Sequence, residues 1–240
     1  MESAYKNLGY FFIILFVFVI WVFSKSYIKI LPVFKDVSFV YHFHGTMLLS
    51  WMLLLIIQPF LIRYKKYKWH KFLGKVSYIL VPLIVVSIFL VSKEKYIRLS
   101  SSISKEENIG MIALNIPGMV YFAVLYLLAM INRKNSASHM RYMIATALLV
   151  FGPAAGRALE FYGSLSFDRS VFYSVLIIEI LTLGLIIYDL IKKAPFRPYL
   201  LTMLFLFAFH ITWLYKSAPW WQQIGGFFAD HFFLSFLFIH

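Results

Sequence analysis

Seven long apolar stretches, separated by short and mostly basic loops, constrain this 240-residue chain more than any other feature. About 20 apolar residues in a helix are long enough to cross a hydrocarbon core about 30 Å thick. Hydrophobic residues make up 62% of the sequence and aromatic residues 20%, more than a soluble domain of this size can bury. Membrane-spanning helices are therefore predicted at about 9–25, 39–63, 70–92, 109–131, 139–162, 171–191 and 198–215.

The loops between these stretches are too short to hold a second domain. Residues 64–69 and 132–138 form tight connections, so consecutive helices must run antiparallel beside each other. We expect residues 1–240 to form one domain, an all-α integral membrane protein built as a bundle of seven transmembrane helices. After Ser217 the chain continues with the sequence Pro-Trp-Trp, and tryptophan favours the headgroup level of a membrane. This tail predicts a C-terminal interfacial helix, with an eighth, tilted span as the alternative.

Loop charge predicts the orientation of the bundle. Lysine and arginine are densest at residues 63–75, 132–141 and 192–197, which seven spans place on the side of the N-terminus. Because cytoplasmic loops carry an excess of basic residues, we expect an inner-membrane protein with a cytoplasmic N-terminus and an external C-terminus. The net charge of +13 matches a basic rim that meets anionic lipid headgroups. The lipid bilayer, and no nucleic acid, is the predicted partner.

Few polar side chains lie inside the apolar stretches, where each is costly without a partner or a function. By predicted depth they form two layers. The outer layer draws on five helices and contains His44, Asn115, Arg157, Glu160 and His210, with Glu179 close to mid-depth. The inner layer contains His70 and His139, which both start spans. A histidine at a helix start could equally serve as a cap or meet headgroups, and Arg157 with Glu160 could be a purely structural pair.

Three segments carry a recognisable order of motifs. His44, Trp51 and Gln58 share one helix face, His70 begins the sequence His-Lys-Phe-Leu-Gly, and His139 begins His-Met-Arg-Tyr-Met. This order resembles a family of bacterial multi-helix membrane proteins of unknown function, with H…W…Q, H-[RK]-x-L-G and H-x-R-x-M helices. The resemblance covers about residues 40–160 and implies a membrane bundle but no activity. More distantly, histidines at helix ends are similar to the di-haem b-type transmembrane reductases, which implies haem b.

The leading hypothesis is a b-type haem or metal-binding protein for electron transfer. Facing helices in a bundle can supply the axial histidines of haem iron. His70 with His139 would ligate an inner haem, and His44 with His210 an outer one. A quinone or another membrane subunit would then be a partner. The sequence has no cysteine, which excludes thiolate ligands and iron–sulfur clusters.

Three other functions fit the same residues. A proton- or ion-coupled transporter or channel would use the cluster of Arg157, Glu160, Glu179 and His210. A zinc hydrolase that acts on lipid would use His42, His44 and His210, because catalytic zinc takes three protein ligands and a water. In a non-catalytic subunit of a membrane assembly, every polar residue would be structural. Whether the protein is an enzyme stays open at this point.

Overall fold

The computed structural model describes residues 5–27, 29 and 37–234, and all regular elements in these residues are helical. Eight α-helices are followed by a short π-helix at Ala229–Leu234. The α-helices are α1 (Leu8–Ser24), α2 (Phe39–Arg63), α3 (Tyr67–Leu99), α4 (Lys105–Ile131), α5 (Ser136–Gly163), α6 (Phe167–Ile191), α7 (Arg197–Leu214) and α8 (Pro219–Phe228).

Six of these helices, α2 to α7, are long and apolar enough to cross a membrane. Helix α1 is equally apolar but has only 17 residues, which is the lower limit for a span. The all-α fold expected from the sequence is confirmed for the described residues, and six of its helices have the length and composition of membrane spans.

Several helices are longer than the spans predicted from hydropathy. Helix α3 was expected over 70–92 but continues to Leu99, through Lys93 and Glu94. Hydropathy marks only the apolar part of a helix, whereas backbone hydrogen bonds continue into its polar ends. Helix α4 begins four residues before its predicted start because the Ser104 side chain accepts a hydrogen bond from the Glu107 backbone N–H, 3.1 Å away.

The antiparallel helices give the bundle two ends. One end contains the start of α1 and the turns that follow α2, α4 and α6, and we call it the N-terminal end. Contacts between distant segments hold this end together, as Arg63 donates to the backbone carbonyl of Lys6 and to the side chain of Asn7. We call the opposite end, with the turns that follow α3, α5 and α7, the far end.

Helix α5 lies at the centre of the bundle, because it packs against α1, α2, α4, α6 and α7. Small residues on its surface let these neighbours approach closely; those that are buried include Ala145, Ala147, Gly152, Ala154 and Ala155. The largest core cluster joins Trp51 of α2 and Phe122 of α4 to Ile144 of α5. A polar side chain on α5 therefore faces other helices more often than lipid.

The C-terminal segment packs against the side of the bundle. Helix α8 contacts α4, where the Trp221 indole N–H donates to the backbone carbonyl of Ile109 at 3.3 Å. A Cβ atom at Gly225 would lie 2.8 Å from the Ile109 side chain, so this close approach requires glycine. In the π-helix, Phe233 packs on aromatic rings of α3. Residues 235–240 of the predicted C-terminal helix lie outside the described residues.

Candidate functional site

A histidine and a glutamate from neighbouring helices form a buried pair. Glu179 lies midway along α6 and His210 lies one turn before the end of α7. The His210 Nδ1 atom is 3.0 Å and 3.1 Å from the two carboxylate oxygens of Glu179. The two residues are only 6% and 8% exposed. This geometry places a charge-assisted hydrogen bond inside the apolar part of the bundle.

The sequence of α6 explains why Glu179 points inward. Its buried face carries Ser174, Glu179 and Thr182, and this face packs against α5 and α7. The Ser174 and Thr182 hydroxyls donate to backbone carbonyls of their own helix, at 2.8 Å and 2.7 Å. They are therefore satisfied locally. The Glu179 carboxylate is left to the histidine of α7.

The second ring nitrogen of His210 gives the pair its chemistry. An ionised carboxylate has no proton to donate, so the Nδ1–H of His210 must donate to Glu179. In the neutral ring Nε2 then carries a lone pair. This atom is buried and has no hydrogen-bond partner among the described residues. The pair can accept a proton at Nε2 or bind a ligand there.

An open cavity lies next to this pair at the far end of α6 and α7. Its volume is about 210 Å³, and its lining consists of Asp168, Arg169, Phe172, Trp213, Leu214 and Lys216. The Phe172 ring also packs against the His210 ring, with centroids 4.7 Å apart. One aromatic side chain thus contacts the histidine and lines the cavity.

A second buried pair lies near the N-terminal end, between α5 and α6. The Arg141 guanidinium donates through Nε to one carboxylate oxygen of Asp189 at 2.6 Å, and through Nη2 to the other at 2.7 Å. Both side chains are fully buried. Arg141 also donates to the backbone carbonyl of Ala137, and its guanidinium lies over the Tyr5 ring. This pair ties α5, α6 and the start of the chain together.

This ion pair was not predicted from the sequence. Arg141 was noted only in a basic segment beside a loop and in the His-Met-Arg-Tyr-Met motif, and Asp189 was not among the predicted site residues. The sequence does contain a feature that indicates such a pair. Asp189 is an acidic residue in the last turn of an apolar helix, and the loop after that helix contains Lys192 and Lys193. An acid at this position, among basic residues, needs a buried cationic partner.

The two inner-layer histidines lie close enough to interact electrostatically. His139 at the start of α5 donates from Nδ1 to the backbone carbonyl of Ala129 at 2.8 Å. Its Nε2 is then free to bind a ligand. The backbone carbonyl of His70 accepts a hydrogen bond from Gln58, while its ring Nδ1 is buried without a partner among the described residues.

The helix face with His44, Trp51 and Gln58 points into the bundle. The ring of His44 is 3.0 Å from the Ser87 hydroxyl of α3. Trp51 is fully buried and meets aromatic rings of α4 edge to face. The three residues expected to share one face of α2 therefore all contact α3 or α4. His44 lies on α2 and His210 on α7. In the described residues these two helices do not pack substantially against each other.

The remaining outer-layer residues gather at the far end. Arg157 lies over the Phe23 ring of α1, 4.9 Å from its centroid, and interacts electrostatically with Glu160. Asn115 lines a small cavity with Lys95 of α3. Among the described residues, no hydrogen bond or ion pair joins Arg157 to Glu179 or His210. The predicted outer layer is thus divided into a buried acid–histidine pair and a more exposed charged group.

The three histidines of the zinc hypothesis each have a different partner. His42 forms a hydrogen bond with Tyr27, His44 with Ser87, and His210 with Glu179. In the described part of the chain, no three histidine, aspartate or glutamate side chains are placed to share a metal ion. The zinc hydrolase hypothesis gains no support from this arrangement.

Comparison of the chain with protein-family models, with curated proteins and with solved structures finds no match. The resemblance to the family with the three histidine motifs, and the more distant one to the di-haem reductases, therefore stay predictions. Function has to be argued from the geometry of the polar residues.

The buried ion pair leads to a stability prediction. We expect Arg141→Met or Asp189→Asn to lower the free energy of unfolding by about 3–5 kcal/mol, because each leaves its partner buried without compensation. The double variant Arg141→Met/Asp189→Leu should recover much of this loss, since it buries no isolated charge. Thermal unfolding in detergent, followed by circular dichroism, measures the effect.

Asp168→Asn is the matched control, because it breaks an exposed ion pair with Lys216 at the far end. Its cost should stay below about 1 kcal/mol. Single variants of Arg141 and Asp189 that unfold at the temperature of this control would contradict the structural role of the pair.

Proposed function

We propose that the protein is a membrane transporter or channel that carries protons across the bilayer, with Glu179 and His210 as its protonatable centre. The observation that carries this proposal is the buried hydrogen bond between the two side chains, with His210 Nε2 left without a partner among the described residues. Ionisable residues inside membrane helices are costly, and those that are retained often mark proton or ion pathways. A permanent structural pair would have little need for a free nitrogen.

The proton chemistry of the pair is simple to balance. With neutral His210 and ionised Glu179, the pair carries one negative charge. A proton from water forms a new N–H bond at Nε2, and the resulting imidazolium and carboxylate carry no net charge together. Loss of this proton restores the negative charge. Because an apolar surrounding penalises net charge strongly, uptake and release of one proton can bias the packing of α6 against α7.

Polar groups on both sides of the pair fit a proton path. Towards the far end, the open cavity is lined by Asp168 and Lys216, and Phe172, which packs on His210, also lines it. Towards the N-terminal end, the same buried face of α6 carries the Thr182 hydroxyl, whose oxygen can accept a further hydrogen bond. Asp189, further along this face, is held by Arg141 and stays outside the path.

We infer that α1 is a seventh span, and that the N-terminal end faces the cytoplasm of a bacterial inner membrane. Helix α1 packs against α2 and α5, and its Trp21 ring stacks on Tyr162 of α5 at 4.4 Å. The basic loops at residues 64–69, 132–138 and 192–197 favour this orientation. In this topology the cavity opens to the outside, which makes it the proton entry, and α8 lies on the outer side.

Proton flux into liposomes tests the transport proposal. Protein reconstituted with a pH-sensitive dye inside should carry protons when a potassium gradient with valinomycin sets the membrane potential. Glu179→Gln and His210→Gln should each lower the rate at least about tenfold, because positioned acid–base groups contribute factors of this size or more. Glu160→Gln is the control, since it makes the same change outside the pair and should keep the rate.

The proton-flux measurement requires variants that fold and insert like the wild type. Each variant is first checked for wild-type helical content and yield in the liposomes. A wild type that carries no protons in either direction, or pair variants as active as Glu160→Gln, would contradict the proposal.

A second candidate function is electron transfer through a b-type haem held by His70 and His139. The observation that favours it is that these histidines, from α3 and α5, lie within electrostatic range of each other, and that His139 is anchored through Nδ1. A histidine ligand with a fixed Nδ1–H presents Nε2 to a metal. His139 meets this condition, and His70 has an unpartnered ring nitrogen among the described residues. Two histidines fit the donor set of haem iron, and bound haem would supply one-electron transfer. The inner pair is favoured over His44 and His210 because the two inner histidines interact electrostatically, whereas His44 and His210 each bind a different side chain, Ser87 and Glu179.

Visible absorption tests this second candidate. After expression with ample haem, the purified wild type should show a Soret band and a sharp reduced α-band. His70→Ala and His139→Ala should each remove them while the protein still inserts into the membrane, and His42→Ala should keep them. A colourless wild type would eliminate haem binding and leave the proton proposal unaffected.

A further inference from the structure

Positive charge is concentrated around Lys95 at the far end of the bundle. Lys95 lies near the end of α3 and interacts electrostatically with Arg98, Arg157 and Lys216, which come from α3, α5 and the segment after α7. Among the residues that the structure describes, Glu160 is the carboxylate that interacts electrostatically with it. Three separate parts of the chain therefore bring cations to one place, against their mutual repulsion.

Local partners compensate these cations only in part. Lys216 forms an ion pair with Asp168 at 2.6 Å. All four cations also lie over aromatic rings. The Phe167 ring under Lys95 packs edge to face on the Trp213 ring under Lys216, with centroids 6.0 Å apart. Lys95 itself has no ion pair among the described residues, so positive charge remains in excess at its position.

Two cavities border these cations. Lys95 and Asn115 line a cavity of only about 10 Å³, which has room for one water and not for a phosphate group. Lys216 lines the larger, open cavity of about 210 Å³ with Arg169 and Asp168. Ammonium and guanidinium groups are the donors that proteins use to bind phosphate.

We propose that this end of the bundle binds a phosphate group, with Lys95, Arg157 and Lys216 as its cationic contacts. The phosphate belongs either to an anionic lipid, whose headgroup reaches the ends of the membrane helices, or to a soluble phosphate compound. Lys216 also lines the cavity beside Glu179 and His210, but phosphate binding does not require proton transfer by that pair.

Native mass spectrometry of the purified protein tests the site and distinguishes the two sources. The protein in detergent is titrated with phosphatidylglycerol, with phosphatidylcholine, and with inorganic phosphate. We expect retention of phosphatidylglycerol over phosphatidylcholine, and about fivefold weaker binding for Lys95→Gln, because each basic residue near an anionic group contributes a factor of this size. Lys95→Arg should retain binding, since it keeps the charge.

Lys105→Gln is the control, because Lys105 is an exposed lysine at the same end, 3.7 Å from Asp230. Its affinity should equal that of the wild type. Inorganic phosphate that competes with the lipid, again in a manner sensitive to Lys95, would identify a soluble phosphate as the ligand. Equal binding of both lipids without Lys95-sensitive binding of inorganic phosphate, or equal affinities of Lys95→Gln and Lys105→Gln, would overturn the proposal. Lys216→Gln offers the same comparison if Lys95→Gln fails to fold.

Discussion

The cost of an ionised side chain in hydrocarbon governs how the central helices of this protein are arranged. An acid or a base in an apolar span is tolerated when a partner on another helix compensates it. Helix α6 carries two buried acids, Glu179 and Asp189, and each finds a base on a different neighbour. Asp189 binds Arg141 of α5, and Glu179 binds His210 of α7. Charge pairing thus fixes α6 against both helices at two depths.

The two pairs differ in whether their side chains keep an unpartnered hydrogen-bonding atom and whether their charge can change. The Arg141–Asp189 pair is bidentate and fully buried, and a guanidinium keeps its charge at any physiological pH. Such a pair is suited to hold helices in register. In the Glu179–His210 pair the imidazole can change its charge, and Nε2 has no partner in the part of the chain that the structure describes. The first pair therefore serves as a fixed anchor, and the second can respond to protons.

Hydropathy and spacing predicted the elements of this fold well, because both depend on local sequence. The apolar stretches located the helices, and the seven-residue spacing of His44, Trp51 and Gln58 placed them on one face of α2. Partners could not be predicted in the same way. The pairing of Asp189 with Arg141 joins residues 48 positions apart, and it depends on how α5 and α6 are rotated against each other.

Predicted depth in the membrane also placed Arg157 and Glu179 together, although the two residues have different partners in the structure. Arg157 and Glu179 were expected in one cluster, since topology gave them similar heights in the membrane. Arg157 instead lies over Phe23 of α1, whereas Glu179 faces α7. Rotation of a residue about its helix axis decides its contacts, and a strongly apolar helix carries little amphipathic signal to predict that rotation.

Nitrogen-15 NMR of histidine-labelled protein in bilayers can test the role of the Glu179–His210 pair, with His210→Gln to assign the signal. We expect His210 Nδ1 to stay protonated and Nε2 to gain a proton as the pH is lowered. Glu179→Gln should change both signals. A His210 ring that is protonated at Nε2 and bare at Nδ1 at high pH, or that is insensitive to Glu179→Gln, would contradict this role.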